Sequence, residues 1–263
     1  MNKKKILISV IITSFNKERY ISKAIESAEK QSYKNLEIIV IDNNSTDNSL
    51  NKISKFKNVR LLKNLSKKTG ALNQIKSIEI GLKKSKGNII CLLDGDDFFK
   101  KNKIKNIVNF FLKNPKCEAV FDIPIIFKKN DSINFSYDKK RIYDQKIWPT
   151  TFPTSSISIK KNFLQNCIKN FQKKKFEFLE IDFRLCCLFV IYKENYNILK
   201  KSLTFYRQVD DGIMSNYKKF SKIWWLKRSQ AFDFFIFIKK KFKKKYSFSF
   251  DFYLTKLISK III

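Results

Sequence analysis

Three apolar runs organise the first hundred residues of the chain. Residues 6–12, 36–41 and 89–93 are rich in β-branched side chains and show no polar alternation. Runs of this kind predict strands covered on both faces, as in a parallel sheet. Between the first two, Tyr20, Ile21, Ala24, Ile25 and Ala28 recur at helical spacing. Between the second and third, the pattern predicts a short helix, a strand at Val59-Arg60-Leu61-Leu62, a basic loop at Lys67-Lys68-Thr69-Gly70 and a helix over 71–85. Leu72, Ile75, Ile78 and Leu82 share one face of that helix, and Lys86-Gly87 stops it. Strand alternating with helix is the order of a doubly wound α/β domain.

Each apolar run ends in polar residues. The first ends at Thr13-Ser14-Phe15-Asn16, the second at Asp42-Asn43-Asn44-Ser45-Thr46-Asp47, and the third at Asp94-Gly95-Asp96-Asp97. Open α/β sheets bind ligands outside the carboxyl ends of their strands, so these three ends are expected to converge on one crevice. Carboxylates as close in sequence as Asp94, Asp96 and Asp97 raise one another's pKa unless a cation neutralises them. Their hard oxygens suit Mg²⁺ or Mn²⁺, held by one or two carboxylates together with substrate phosphates.

The second half predicts a helix over 103–112, strands at 119–122 and 125–127, a strand over 154–159 and a helix over 161–171. The polar and aromatic stretch 130–150 suits a loop region over the crevice, where an acceptor would be contacted. A helix over 180–192 is apolar nearly all round and is expected to be buried. A strand over 199–207 closes this part. From residue 218 onward aromatic residues interleave with lysines, followed by Lys239-Lys240-Lys241-Phe242-Lys243-Lys244-Lys245 and an apolar tail. The organisation expected is one domain over 1–217, divided near residue 100, with a basic helical extension over 218–263.

Composition narrows the chemistry. The formal net charge of +32 has two sources: codon bias, which the wealth of Lys, Asn, Ile and Phe suggests, or attraction to polyanions. The lysines are spread along the whole chain and no nucleic-acid-binding motif is present, so no specific nucleic acid is expected. Contact of residues 239–263 with an anionic membrane surface is weighed against a solvated lysine face. Histidine is absent. This excludes Ser-His and Cys-His pairs and histidine-bearing zinc sites, and leaves carboxylate, lysine, tyrosine or thiol as a general base. The five cysteines show no C-x-x-C spacing and read as buried, reduced thiols. The basic start followed by a short apolar run makes a poor signal peptide. No stretch approaches the ~20 apolar residues that span a bilayer.

The motifs Val10-Ile11-Ile12-Thr13-Ser14-Phe15-Asn16, Ile39-Val40-Ile41-Asp42-Asn43-Asn44-Ser45-Thr46-Asp47 and Gly87-Asn88-Ile89-Ile90-Cys91-Leu92-Leu93-Asp94-Gly95-Asp96-Asp97 resemble, in order and spacing, the nucleotide-binding half of family 2 glycosyltransferases. The resemblance implies a GT-A fold, a Rossmann-like α/β architecture with a mixed, mostly parallel sheet flanked by helices. It implies an enzyme that moves a sugar from a nucleotide-sugar donor to a hydroxyl of a glycan or lipid-linked acceptor by an inverting single displacement. The process implied is surface polysaccharide synthesis, in the cytoplasm or peripherally on the inner face of its membrane.

It also implies roles. Phe15 would cover the base and Asp42 would hydrogen-bond it, with core packing and helix capping as their structural alternatives. Thr13 would lie near the base or ribose. Lys67 and Lys68 are the candidates to reach phosphates, with a solvated loop lysine as the alternative for at least one of them. Asp94 would face the ribose, and Asp96 would bind Mg²⁺ or Mn²⁺, with Asp97 as a second metal-site residue or a helix cap. The family's acidic pair corresponds to Glu180 and Asp182, interrupted here by Ile181; Glu180 is placed at the catalytic position with Asp182 as the alternative. A histidine common in the family after Tyr-Arg is replaced by Gln208. Two other readings stay open: a catalytically degenerate nucleotide-sugar binder, and a nucleotidyltransferase, against which the lack of a Gly-rich loop after the first strand argues.

Overall fold

A computed structural model of the protein describes residues 6–128, 131–134, 148–192, 195–209, 212 and 217–262. The apolar runs form β1 (Ile8–Ser14), β2 (Leu36–Asp42) and β4 (Ile89–Asp94), with β3 (Val59–Lys63) at the edge. They pair in parallel in the order β3-β2-β1-β4. Helices α1 (Ile21–Glu29), α2 (Ser49–Ser54) and α3 (Gly70–Lys84) connect them. The Thr69 hydroxyl caps α3 by accepting from the Leu72 amide. Burial on both faces explains the unbroken apolar pattern: Ile11, Ile39 and Ile41 face one cluster, and Val10, Ile12 and Val40 the other.

Beyond Asp94 come β5 (Phe98–Phe99), α4 (Lys103–Lys113), β6 (Ala119–Lys128), β7 (Asp131–Asn134), β8 (Ile157–Lys160), α5 (Lys161–Lys169), α6 (Ile181–Ile191) and β9 (Tyr196–Arg207). The sheet continues β4-β8-β6-β9-β5, with β7 beside β6. β8 runs antiparallel to both β4 and β6, while β6 and β9 pair in parallel. The result is a mixed, mostly parallel sheet.

Two local expectations change. The strands expected at 119–122 and 125–127 are one strand with a register irregularity between Asp122 and Pro124. Thr154–Ser156, expected as strand, is a single 3₁₀ turn in which all three residues are buried, and the strand begins only at Ile157. Most of the loop expected over 130–150 lies outside the described residues. Trp148, within them, packs edge-on against Phe183 and Phe232.

Helix α6 is buried along nearly its whole length, as its all-round apolar pattern predicts. It carries Arg184, fully buried. The guanidinium donates to the carbonyls of Leu179, Phe171 and Phe176, which fixes the loop that enters the helix. Helix α7 (Lys222–Lys241) contributes Ala231, Phe234, Phe235 and Ile238 to the same core as α6. Helix α8 (Phe250–Ile262) packs on α7. All five cysteines are buried and free. No helix among the described residues is long and apolar enough to cross a membrane.

Candidate active site

The ends of β1, β2 and β4 converge as the sheet order requires, and the N-terminus of α6 closes on them from the second half. Between them lies a cavity of about 440 Å³. Its walls include Thr13, Phe15, Lys17, Asn43, Gln74, Asp94, Asp96, Glu180, Asp182 and Gln208.

The loops after β1 and β2 are laced together. The Asn16 amide donates to the Ser45 hydroxyl, the Lys17 amide to the Ser49 hydroxyl, and the Thr46 amide to Asn16 Oδ1. Asn16 and Asn44 both adopt positive φ, at 48° and 59°. Asparagine tolerates that region better than other residues bearing a Cβ. This scaffold holds Phe15 at 53% exposure on the cavity wall. Its ring is therefore not core packing, and its exposed face can stack on a planar group.

Asp42 is placed differently from the expectation. It is fully buried, its carboxylate accepts from the Ser45 amide at 2.9 Å and hydroxyl at 2.5 Å, and the neighbouring Asn43 lines the cavity in its stead. The carboxylate closes the β2 turn. Lys68 also lies elsewhere: it is exposed in the loop before α3, and its amide donates to Asn73 Oδ1 in the first turn of that helix. The lysine that reaches the cavity is Lys17, whose ammonium sits 3.2 Å from Asp96. The sequence marks Lys17 only as the residue after Asn16 in the β1 loop; nothing in its type separates it from the other loop lysines.

The three acidic residues after β4 divide into two kinds. Asp94 and Asp96 face the cavity. Asp94 Oδ1 accepts from the Thr13 hydroxyl at 2.8 Å and from the Gln74 side-chain amide at 2.9 Å. Burial, and then the charge of Asp96, push the Asp94 carboxyl up to about 6. The glycine between them permits the geometry, because a Cβ on Gly95 would stand 3.0 Å from the Thr13 carbonyl oxygen. Asp97 is a correction to the expected metal pair. It is buried, with one oxygen accepting from the Ser155 hydroxyl at 2.5 Å and the other from the Arg207 amide at 2.7 Å. Burial and then the charges of Asp96 and Asp94 hold its carboxyl well above the usual range. Its role is to tie the β4 end to β9 and the 3₁₀ turn. Among the described residues no three metal-ligating side chains converge. Two remain that fit a divalent cation, Asp94 and Asp96: hard oxygens facing one cavity that has room for phosphate oxygens.

Ser155 joins several of these groups. Its hydroxyl accepts from the Asp94 amide and donates to Asp97, and its carbonyl accepts from the Lys103 ammonium at 2.6 Å. Lys103 is fully buried and bridges to Asp122 and Thr204. Sequence reading missed this network, because a lysine in a lysine-rich helix start carries no mark of burial.

Glu180 and Asp182 both line the cavity at the start of α6. Glu180 is ion-paired with Lys227 of α7. Asp182 accepts from the Phe183 amide at 2.7 Å. Its carboxyl is pushed up to about 7, first by burial and then by the charge of Glu180. Tyr206 and Arg207 complete the wall. The Arg207 guanidinium donates to the Asp96 carbonyl and lies over the rings of Tyr20 and Phe127.

A sequence model of glycosyl transferase family 2 matches residues 9–194. The chain belongs to that family. This family 2 member is 36% identical over 141 residues to the UDP-Glc:alpha-D-GlcNAc-diphosphoundecaprenol beta-1,3-glucosyltransferase WfaP of Escherichia coli, covering 49% of this chain and 54% of that one. It spans about half or less of the length of the curated relatives it matches. Among solved structures it is similar to Staphylococcus aureus TarS 1-349 in complex with UDP-GlcNAc, with a TM-score of 0.64 at 17% identity over 87% of this chain and 66% of that one. It is also similar to the mannosyltransferase PcManGT from Pyrobaculum calidifontis in complex with GDP-Man and Mn²⁺, with a TM-score of 0.58 at 14% identity over 93% of this chain and 66% of that one. The fold is GT-A, as the sequence motifs imply.

Proposed function

We propose that this family 2 member transfers a sugar from a nucleotide-sugar donor to a hydroxyl of a glycan or lipid-linked acceptor, by inverting single displacement, in surface polysaccharide synthesis at the cytoplasmic face of the membrane. One observation carries the reading. A single cavity holds an exposed ring for the base, two carboxylates suited to a metal diphosphate, and a carboxyl whose pKa is near neutrality. Residues 1–217 would form the transferase domain, with 218–263 as its helical extension.

In this reading Phe15 stacks on the base, and Asn43 offers its polar side chain beside it. Thr13 and Gln74 hold Asp94 in place toward the ribose. Asp94 and Asp96 would hold Mg²⁺ or Mn²⁺, which when bound stabilises charge developing on the departing diphosphate. Gln208 can add an amide oxygen.

The base is Asp182 rather than Glu180. Lys227 already holds the Glu180 carboxylate in an ion pair. Asp182, raised to about 7 by burial and by Glu180, has the pKa that suits proton transfer near neutral pH. It takes the proton of the acceptor hydroxyl as that oxygen attacks the anomeric carbon. The new C–O bond forms as the bond to the diphosphate breaks on the opposite face, and the proton ends on Asp182.

A second reading rests on Lys17. Its ammonium beside Asp96 supplies a positive charge where a metal would act, as in a binder that holds the donor without transferring it. Turnover separates the two. Release of nucleotide from one member of a panel of UDP-, GDP-, CMP- and dTDP-sugars, dependent on Mn²⁺ and lost in Asp182→Asn, is the expected result. Donor binding without release under any acceptor supports the silent binder.

A further inference from the structure

Helix α8 is amphipathic the wrong way round for a helix covering a protein core. Thr255 and Ser259 are its buried residues, at 0% and 3% exposure. Its inner side meets α7 through the Phe252–Phe232 ring contact and a set of polar contacts. Arg228 Nε donates to the Thr255 hydroxyl at 3.2 Å, Arg228 ion-pairs with Asp251, and Lys256 pairs with Asp233 at 2.6 Å. The large apolar residues point the other way. Phe250, Tyr253, Leu254, Leu257 and Ile261 are all exposed, with Phe250 at 81% and Ile261 at 76%. At 3.6 residues per turn these five fall within about 100° of one another, a single stripe.

The stripe has a charged border. Lys240, Lys241, Lys243, Lys244 and Lys245 are all exposed in the segment that leads into α8, and Lys260 is exposed on α8 itself. Tyr246 and Phe248, also exposed, extend the apolar surface back towards the lysines. An apolar stripe bordered by lysines is what lies in the plane of an anionic bilayer, with the side chains in the acyl boundary and the ammonium groups among the headgroups. A second copy of the chain fits less well, because pairing two such faces would bring two lysine clusters together.

We propose that α8 and the lysines before it form an in-plane membrane anchor for anionic lipid. The polar contacts on its inner side hold the stripe outward. The link to the cavity is short in sequence: Lys227 of α7 pairs with Glu180 in the cavity wall, and the next residue, Arg228, holds α8. The anchor would thereby set the cavity at the surface where a lipid-linked acceptor is presented, a use that rests on the function proposed above, although lipid binding itself does not.

Sedimentation with vesicles tests it, using phosphatidylglycerol-containing and pure phosphatidylcholine vesicles with no donor present. The full chain should sediment with the anionic vesicles and not the neutral ones, and less so in high salt. Leu257→Glu with Ile261→Glu, and separately Lys240, Lys241, Lys243, Lys244 and Lys245 changed to Gln, should each weaken binding by about tenfold or more. All these residues are exposed, so melting and donor binding should be unchanged. Absence of binding to anionic vesicles, or unchanged binding in the Leu257/Ile261 variant, overturns the proposal. So does a wild-type dimer that this variant disperses, which would make the stripe an interface between copies. Donor binding is measured apart, so failure of the anchor leaves the donor reading intact, and the reverse.

Discussion

Lys227 ion-pairs with Glu180, while Asp182, two residues on at the same helix start, carries a carboxyl raised to about 7. One cation thus separates two acids that the sequence presents as near equals. Glu180 is the acid held in an ion pair, and in the proposed reaction Asp182 is the acid that takes the proton.

Activity and stability should respond to pH with opposite signs. Asp182 must be ionised to act as a base, so kcat/KM should rise as pH increases through about 7. Its folded pKa lies above the unfolded value, so the folded state binds the extra proton. Its contribution to stability is fully present below the unfolded carboxylate pKa and falls as pH rises towards about 7. Asp182→Asn should therefore lower turnover by about 10²–10⁴-fold and remove the pH limb. It should also melt higher than wild type at pH 8, with little difference at pH 4. Paired pH–rate and pH–melting series check both signs.

Lys227→Met should move the pH–rate limb to higher pH. Without the ammonium, the Glu180 charge acts on Asp182 unopposed. Leaving a largely buried carboxylate unpaired should also cost about 1–3 kcal/mol of stability. Denaturant unfolding and a pH–rate profile of the variant measure the two effects.

Phe15→Ala should separate binding from folding. The ring is half-exposed, so unfolding should change by less than about 0.5 kcal/mol. Loss of a base-stacking face should cost about 1–3 kcal/mol in donor affinity. Calorimetric titration of donor beside a melting curve gives both numbers.

Asp96 and Asp97 should behave as opposites despite being neighbours. Asp96→Ala should abolish the metal dependence of donor binding and leave the fold intact. Asp97→Ala leaves the Ser155 hydroxyl and the Arg207 amide without their acceptor, at about 1–3 kcal/mol for a buried unpaired group, so its first effect should be a lower melting temperature.

Much of this was legible in the chain. The unbroken apolar runs in β1, β2 and β4 follow from burial on both faces, and the polar residues at their ends fall on one crevice because parallel strands share a direction. The helical spacing of Leu72, Ile75, Ile78 and Leu82 places α3 on the sheet for the same reason. What stayed hidden depends on contacts between distant segments. Asp97 turns inward because Ser155 and Arg207 meet it there, and neither lies near it in sequence. Lys17 and Lys103 differ from the surface lysines only in where the backbone delivers them. The proposal that places Asp182 before Glu180 rests on Lys227, on a helix 47 residues away, which pairs with Glu180.

Donor binding with and without metal tests the central claim most directly, measured as thermal stabilisation of wild type and Asp96→Ala by a panel of nucleotide-sugars with Mn²⁺ or a chelator. Ligand at about 100 times its dissociation constant adds ~2.7 kcal/mol. The expected result is stabilisation by the sugars of one nucleotide, dependent on Mn²⁺ and lost in Asp96→Ala. Equal stability with every donor, or a shift that Asp96→Ala and chelation leave untouched, would contradict a metal-assisted nucleotide-sugar site at Asp94 and Asp96.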